Sequence, residues 1–259
     1  MFAEIASANI VGYQNQLMKN SKMNWFCNTF VPCDKTRETI TLGDIKPTEG
    51  MVESYIVFLD NDGAVNTIDV PGFKNGVKEK YYYWEDGEDG PGWYLSDDDE
   101  DLEHNMNTKR TIKLGEAFYV RCAGELDEGL TYAGAVDAES VPLSMTNSKM
   151  NWFGNCSPTD IKIGDVMPSE GFVESYIVFL DNDGAVSTVD VDGFKTGVKE
   201  KYYYWDGEDG LGWYLSDDDE DLEHNQNTKR TIKAGESFYI RCAGEIGEGI
   251  IIPSALPKK

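Results

Sequence analysis

The sequence is poor in basic residues, in histidine and in long apolar runs. Its 259 residues hold 23 Lys and Arg against 47 Asp and Glu, with 2 His, so the net charge is −24. Such a field repels nucleic acid and anionic membrane surfaces, and it attracts cations. No run approaches the ~20 apolar residues that a membrane-spanning helix needs. We therefore predict neither nucleic-acid binding nor membrane insertion.

The common signatures of catalysis and nucleotide binding are also missing. The chain contains no GxSxG, no HExxH, no P-loop and no dinucleotide-binding fingerprint. Paired carboxylates can hydrolyse glycosides, but the sequence offers no means of choosing one pair. Any such site would occur twice, which is more typical of binding and structural modules. We predict that the protein is not an enzyme.

Cysteine is scarce and odd in number. Of the 5 cysteines, Cys122 and Cys242 occupy equivalent places in two copies of RCAGE, whereas Cys27, Cys33 and Cys156 have no counterpart. An odd number leaves at least one thiol without a partner in the chain. A Cys156–Cys242 disulfide and buried free thiols both agree with this pattern.

The chain is, in contrast, rich in repetition. The offset between the copies is 127 residues where SKMNWF begins, at 21 and 148, and 120 residues where GWYLSDDDEDLEHN begins, at 92 and 212. A period of this size is that of a domain and not of a solenoid. We place repeat 1 at 1–136, with an N-terminal arm at 1–16, and repeat 2 at 137–259. The other repeated segments are VESYIVFLDNDGAV at 52–65 and 173–186, KEKYYYW at 78–84 and 199–205, and TKRTIK at 108–113 and 228–233.

The segments within each repeat have the patterns of β-strands. ESYIVFLD is rich in β-formers and ends in DNDG, a hairpin signal. In GEAFYVRCAG, Phe118 and Val120 alternate with Tyr119 and Arg121, as in a strand with one buried face. No segment combines helical periodicity with caps. We therefore predict an all-β protein of two tandem, near-identical antiparallel β-sandwich or jelly-roll domains.

Acidic residues are concentrated in three loops of each repeat. Ca²⁺ takes about six to eight oxygen ligands, and the consecutive acids at 97–101 repel one another unless a cation lies between them. DNDG does not continue as a helix–loop–helix calcium site, because Pro71 or Asp192 stands where the closing Glu is needed. We predict loop-built calcium sites, with solvated loops as the alternative. The predicted ligands are Asp60, Asp62, Asp86, Glu88, Asp89, Asp97, Asp99, Asp101, Asp181, Asp183, Asp206, Glu208, Asp209, Asp217, Asp219 and Asp221.

The two histidines, His104 and His224, each follow one of the acidic runs. A lone His among acids makes a poor zinc site, because zinc prefers imidazole or thiolate ligands in larger number. We predict surface or hydrogen-bonding roles for both.

Aromatic residues flank the acidic loops. Alternation sends about half of a strand's side chains to the core, and the others would stand beside an acidic loop, where they suit sugar stacking or protein contact. The sequence does not separate these roles. The aromatic residues predicted to bind a glycan are Tyr81, Tyr83, Trp84, Trp93, Tyr202, Tyr204, Trp205 and Trp213.

Several short segments together resemble a loose group of uncharacterised secreted bacterial proteins. These segments are ANIVGYQ near the start, an N-W-F strand, GWY before an acidic loop, GEAFYVRCAG and the closing LTYAGAV. The resemblance implies an exported β-rich protein with an N-terminal NIVGY-like strand, and it implies no activity. The stretch AEIASA ahead of that strand also resembles the end of a signal peptide.

Our first functional hypothesis is an extracellular structural protein on the bacterial cell surface, a subunit of a filament or surface layer. Strands at the two ends of the chain would pair with those of neighbouring copies by β-augmentation, and calcium would stabilise the assembly. The second hypothesis is a secreted glycan-binding module with two equivalent sites. The residues predicted for assembly are Ile10, Val11, Tyr13, Ile250, Ile251 and Ile252.

Overall fold

A computed structural model gives the fold. It describes residues 11–17, 24–34, 36–47, 54–59, 77–96, 104–121, 129–137, 139–145, 151–168, 174–180, 198–216, 224–242 and 249–253. In these ranges every regular element is a strand, apart from two 3₁₀ helices at Leu42–Asp44 and Ile163–Asp165. The all-β class predicted from the sequence is confirmed.

Repeat 1 contributes ten strands in the described ranges. They are β1 (Val11–Leu17), β2 (Asn24–Cys27), β3 (Ile40–Thr41), β4 (Lys46–Pro47), β5 (Tyr55–Leu59), β6 (Val77–Trp84), β7 (Gly92–Leu95), β8 (Thr111–Ile112), β9 (Ala117–Arg121) and β10 (Gly129–Ala135).

Repeat 2 contributes ten more in the same order. They are β11 (Val141–Ser144), β12 (Asn151–Gly154), β13 (Ile161–Lys162), β14 (Met167–Pro168), β15 (Tyr176–Leu180), β16 (Val198–Gly207), β17 (Gly210–Leu215), β18 (Thr231–Ile232), β19 (Ser237–Arg241) and β20 (Gly249–Ile252).

Each repeat builds the same set of sheets from equivalent strands. Repeat 1 has a five-stranded sheet in the order β2-β9-β5-β6-β7, a three-stranded sheet β1-β10-β4 and a two-stranded sheet β3-β8. Repeat 2 has the corresponding sheets β12-β19-β15-β16-β17, β11-β20-β14 and β13-β18. All described pairings are antiparallel, as the hairpin signals predict.

One face of each five-stranded sheet covers the core of its own repeat. Phe58, Phe118 and Val120 are fully buried there, as their alternation with Tyr119 predicts. The indole N–H of Trp93, which lies in this core, also has a partner: Trp93 Nε1 donates a hydrogen bond to the carbonyl of Ile45 at 3.1 Å. The equivalent cluster in repeat 2 includes Phe179, Trp213, Phe238 and Ile240.

The strands at the chain ends pair within their own repeats. β1 pairs with β10 along its whole length, from Val11 opposite Ala135 to Leu17 opposite Gly129. In repeat 2 the segment VPLS forms β11 and takes the equivalent place beside β20, although it does not resemble NIVGY.

The prediction of an open strand edge at Ile250, Ile251 and Ile252 is wrong. β20 is the central strand of its sheet and pairs with β11 on one side and β14 on the other. Ile250 and Ile251 therefore have a paired strand on each side, and Ile252 lies opposite Val141 of β11. A neighbouring copy could pair at Ile250 and Ile251 only by displacing one of those strands.

The two repeats meet through the second faces of their five-stranded sheets. Isolated β-bridges join Phe26 to Glu236 and Glu116 to Phe153. Phe26 and Phe153 are equivalent in the two repeats, as are Glu116 and Glu236, so the contacts are reciprocal. We call this surface the inter-repeat face; it comprises Trp25, Cys27, Val57 and Tyr119 of repeat 1 and Trp152, Gly154, Val178 and Tyr239 of repeat 2.

Trp25 and Trp152 stack on each other at the centre of the inter-repeat face. Their ring centroids lie 5.3 Å apart and their planes are within 6° of parallel. The two indoles occupy equivalent sequence positions, so the stack lies on an approximate two-fold axis. An interface of this kind, in which the same patch is used on both sides, is isologous.

The described cysteines are free thiols. Cys27, Cys156 and Cys242 are buried and Cys33 is exposed, while Cys122 lies outside the described residues. The alternative of buried thiols therefore holds for Cys156 and Cys242. Burial raises the pKa of the Cys156 thiol to about 12, which keeps it protonated and unreactive at neutral pH.

One buried hydroxyl in repeat 2 has no hydrogen-bond partner among the described residues. It is Ser237 Oγ, and repeat 1 has Ala117 at the equivalent position. An unpaired buried hydroxyl costs free energy, so Ser237→Ala is expected to raise the free energy of unfolding by about 1 kcal/mol. Urea denaturation measures the change. Ala117→Ser is the matched control and is expected to lower that free energy by a similar amount. A Ser237→Ala protein that is no more stable than the original contradicts the prediction.

Candidate functional site

The turn between β6 and β7 carries one of the acidic segments and contacts the histidine that follows another. The side chain of Asp89, on this turn, lies 3.1 Å from Nδ1 of His104, which ends the acidic run. Asp209 and His224 repeat the pair at the same distance in repeat 2. Both histidines are more than half exposed. The predicted surface and hydrogen-bonding role of the histidines is confirmed.

Six of the predicted calcium ligands lie in or beside the described turns that follow β6 and β16, and all six are exposed. They are Asp86, Glu88, Asp89, Asp206, Glu208 and Asp209. Within the described ranges, no group of three or more His, Cys, Asp or Glu side chains is arranged to hold a metal. The remaining predicted ligands lie outside these ranges, namely Asp60, Asp62, Asp97, Asp99, Asp101, Asp181, Asp183, Asp217, Asp219 and Asp221. Calcium binding stays a prediction.

The last described residue before each acidic run is hydrogen-bonded to a lysine of the five-stranded sheet. The backbone N–H of Ser96 donates to the carbonyl of Lys80 at 2.8 Å, and Ser216 donates to Lys201 in the same way. The lysine ammonium is placed between two tyrosines: Lys80 Nζ lies 4.6 Å from the ring centroid of Tyr55 and 4.7 Å from that of Tyr82. Both are cation–π distances. The ammonium of this lysine therefore lies on the face of the sheet that carries Tyr55 and Tyr82.

Most of the aromatic residues predicted to bind a glycan pack in the cores. Tyr81, Trp93, Tyr202 and Trp213 are buried, and Tyr83 and Tyr204 pack against the same clusters. Burial, followed by the nearby charge of Glu79, raises the pKa of Tyr81 to about 12. These six side chains face inward along β6, β7 and their counterparts, so their assignment to a sugar surface is wrong. Of the eight predicted residues, only Trp84 and Trp205 project from the opposite face.

The opposite face carries an aromatic series that the sequence reasoning did not assign. Eight rings follow one another in contact across both repeats, in the order Tyr82, Tyr55, Tyr119, Trp25, Trp152, Tyr239, Tyr176 and Tyr203. Successive centroids lie between 5.3 and 6.0 Å apart. The period of two in KEKYYYW places Lys80 and Tyr82 on one face, and that signal was available in the sequence.

A partly buried ion network lies on the core-facing side of the sheet. Arg110 binds Glu79 at 2.6 Å and Glu116 at 2.8 Å, and its guanidinium lies 3.9 Å from the ring centroid of Phe58. Burial acts to lower the pKa of Arg110, but the bonds to Glu116 and Glu79 outweigh it and raise that pKa above its ordinary value. Arg230 makes the same contacts in repeat 2. The ion pairs of Arg110 tie β6 to the residues just before β8 and β9.

Comparison of the chain with protein-family models and with curated proteins found no match. In the described ranges, no helix is long and apolar enough to cross a membrane.

Proposed function

We propose that the protein is an extracellular structural protein, a subunit of a filament or surface assembly in which β1 of one copy pairs with another copy and calcium stabilises the association. The observation that carries this proposal is the position of β1 at the edge of its sheet. β1 is seven residues long, VGYQNQL, with no proline and no charge. Its inner edge pairs with β10, and in the part of the chain that the structure describes no backbone bond reaches its outer edge.

The edge strands β7, β2 and β11 have features that oppose pairing with another chain, and β1 lacks these features. The outer edge of β7 is covered by the segment that follows the acidic run, because Asn105 bridges to Tyr94 and Met106 N–H donates to the carbonyl of Trp93. β2 adjoins repeat 2. β11, the counterpart of β1, is four residues long and contains Pro142, which has no N–H to donate. Long, unprotected edges are where chains pair with one another.

The role proposed for calcium follows from the net charge. At −24, two copies repel each other at contact distance, and this repulsion falls when divalent cations bind to the acidic segments. Association through β1 is therefore expected to depend on a divalent cation.

Val11→Lys tests the proposal. Val11 is 64% exposed at the start of β1, and a lysine at an edge strand opposes pairing. Light scattering in calcium is expected to show assemblies of the unmodified protein that dissociate in chelator, while Val11→Lys stays monomeric. The control is Ile251→Lys, because Ile251 is 47% exposed on a strand with both edges paired; it should assemble normally. Equal assembly of all three proteins would refute the role of β1.

The partly buried Trp84 and the more exposed Trp205 support glycan binding as a second candidate function. Trp205 is 36% exposed and immediately precedes the acidic turn of repeat 2. A monomer in calcium that binds a glycan array, and that loses binding in Trp84→Ala/Trp205→Ala, would favour this function over assembly. Loss of the array signal in that variant distinguishes aromatic stacking from adsorption to the acidic loops.

A further inference from the structure

We propose that the inter-repeat face selects its partner: repeat 1 binds repeat 2 and not a second repeat 1, and two copies of the chain can join by exchanging repeats through this face. The proposal concerns a surface distinct from β1 and does not depend on assembly through β1. The partner is a second copy of this chain, and the contacts are those already formed within one chain.

The reciprocal geometry makes exchange between copies feasible. The Trp25–Trp152 stack and the two β-bridges join one repeat to the other, and none of these contacts depends on the two repeats sharing a chain. Each repeat also has a core of its own, built on the opposite face of its sheet. Opening the inter-repeat face therefore breaks no strand pairing within a repeat.

The residues that differ between the repeats at the centre of the face determine which pairs fit. Cys27 in repeat 1 is equivalent to Gly154 in repeat 2, and the two are in contact: a Cβ on Gly154 would overlap Cβ and Sγ of Cys27 and lie 2.8 Å from the carbonyl oxygen of Glu236. The thiol of Cys27 thus fills the space that the glycine leaves.

Pairs of like repeats lack this fit. Two repeat 1 faces related by the same two-fold axis would bring Cys27 against Cys27, with the Cβ atoms far closer than the ~3.8 Å that even a disulfide requires. Two repeat 2 faces would oppose Gly154 to Gly154 and leave a void where the thiol was, which costs packing energy. Steric exclusion in one case and a cavity in the other favour the mixed pair.

The connection between the repeats lies outside the face. It runs through residues 136–140, from β10 in one three-stranded sheet to β11 in another. Such a short connection gives the pairing within one chain a high effective concentration, so the intact protein is expected to close on itself at low concentration. Pairing between copies can be detected when each copy has lost one of its two faces, because neither chain can then close on itself.

A complementation experiment tests the proposal. In a Trp25→Asp chain only the repeat 2 face is intact, and in a Trp152→Asp chain only the repeat 1 face is. Native mass spectrometry is expected to show each variant alone as a monomer and the mixture as a one-to-one dimer. Circular dichroism checks that each variant is folded; if either is not, Val57→Asp and Val178→Asp, which alter equivalent buried positions of the same face, form the second pair.

Two results would overturn the proposal. A mixture of folded variants that stays monomeric rules out exchange, and a Trp152→Asp chain that dimerises alone as readily as the mixture rules out selection. Adding Cys27→Gly to the Trp152→Asp chain leaves glycine opposite Gly154 and a void where the thiol was, so it is expected to weaken the mixed dimer. Val11→Lys in both chains should leave the mixed dimer unchanged, which separates this result from any failure of assembly through β1.

Discussion

Replacing Gly154 with valine is expected to lower the free energy of unfolding by about 3 kcal/mol, because it overpacks the centre of the inter-repeat face. Even the first carbon of the new side chain would overlap the Cys27 side chain. The Cys27 backbone is held against repeat 2 by the hydrogen bond from its N–H to the carbonyl of Gly235 at 3.0 Å. The overlap is therefore expected to push the two sheets apart, which weakens the stack of Trp25 on Trp152.

Urea denaturation of the whole chain measures this effect, and the sequence supplies a matched rescue. Cys27→Gly removes the side chain that the valine meets, so Cys27→Gly/Gly154→Val should recover most of the lost stability. The exchanged pair Cys27→Gly/Gly154→Cys should be close to the original protein, because the two-fold axis interchanges the positions. If Gly154→Val costs as much with Cys27→Gly as without it, the contact between these residues does not determine the fit.

Local pattern predicted the strands better than it predicted their partners. The alternation of Phe118 and Val120 with Tyr119 identified β9 and the face that packs in the core of repeat 1. The error at Ile250 and its neighbours has a different origin, because the sequence shows that a segment is extended and not which segments flank it. The neighbouring strand that the sequence did not reveal is VPLS. It forms β11 and pairs with β20, although it shares no motif with NIVGY.

Alternation alone did not show which side chains of the aromatic strands face the core of the repeat and which face away from it. KEKYYYW places Tyr81 and Tyr83 on one face and Tyr82 and Trp84 on the other, but both faces carry rings. The structure shows why: the sheet is covered on one side by its own core and on the other, near Trp25, by the second repeat. The contact between Cys27 and Gly154 was beyond sequence reasoning, because an alignment shows that residues are equivalent and not that they touch.

Replacing Arg110 with alanine is expected to lower the free energy of unfolding by about 4 kcal/mol, because it leaves two partly buried carboxylates beside each other without a cationic partner. The Arg110 side chain is 13% exposed, and Glu79 and Glu116 are each about one quarter exposed. Removal also takes the guanidinium off the ring of Phe58. Arg230→Ala should cost a similar amount, since Glu200 and Glu236 bind it in the same way.

Arg37 provides the control for this prediction. It pairs with Asp44 at 3.0 Å, but its side chain is 40% exposed, and exposed ion pairs contribute about 0–1 kcal/mol. Arg37→Ala should therefore change the urea midpoint little. Arg110→Met/Glu79→Gln/Glu116→Gln, which leaves no charge behind, should recover part of the loss, because the largest cost lies in the unpaired carboxylates and not in the missing attraction. An Arg110→Ala protein as stable as Arg37→Ala would show that water reaches these carboxylates.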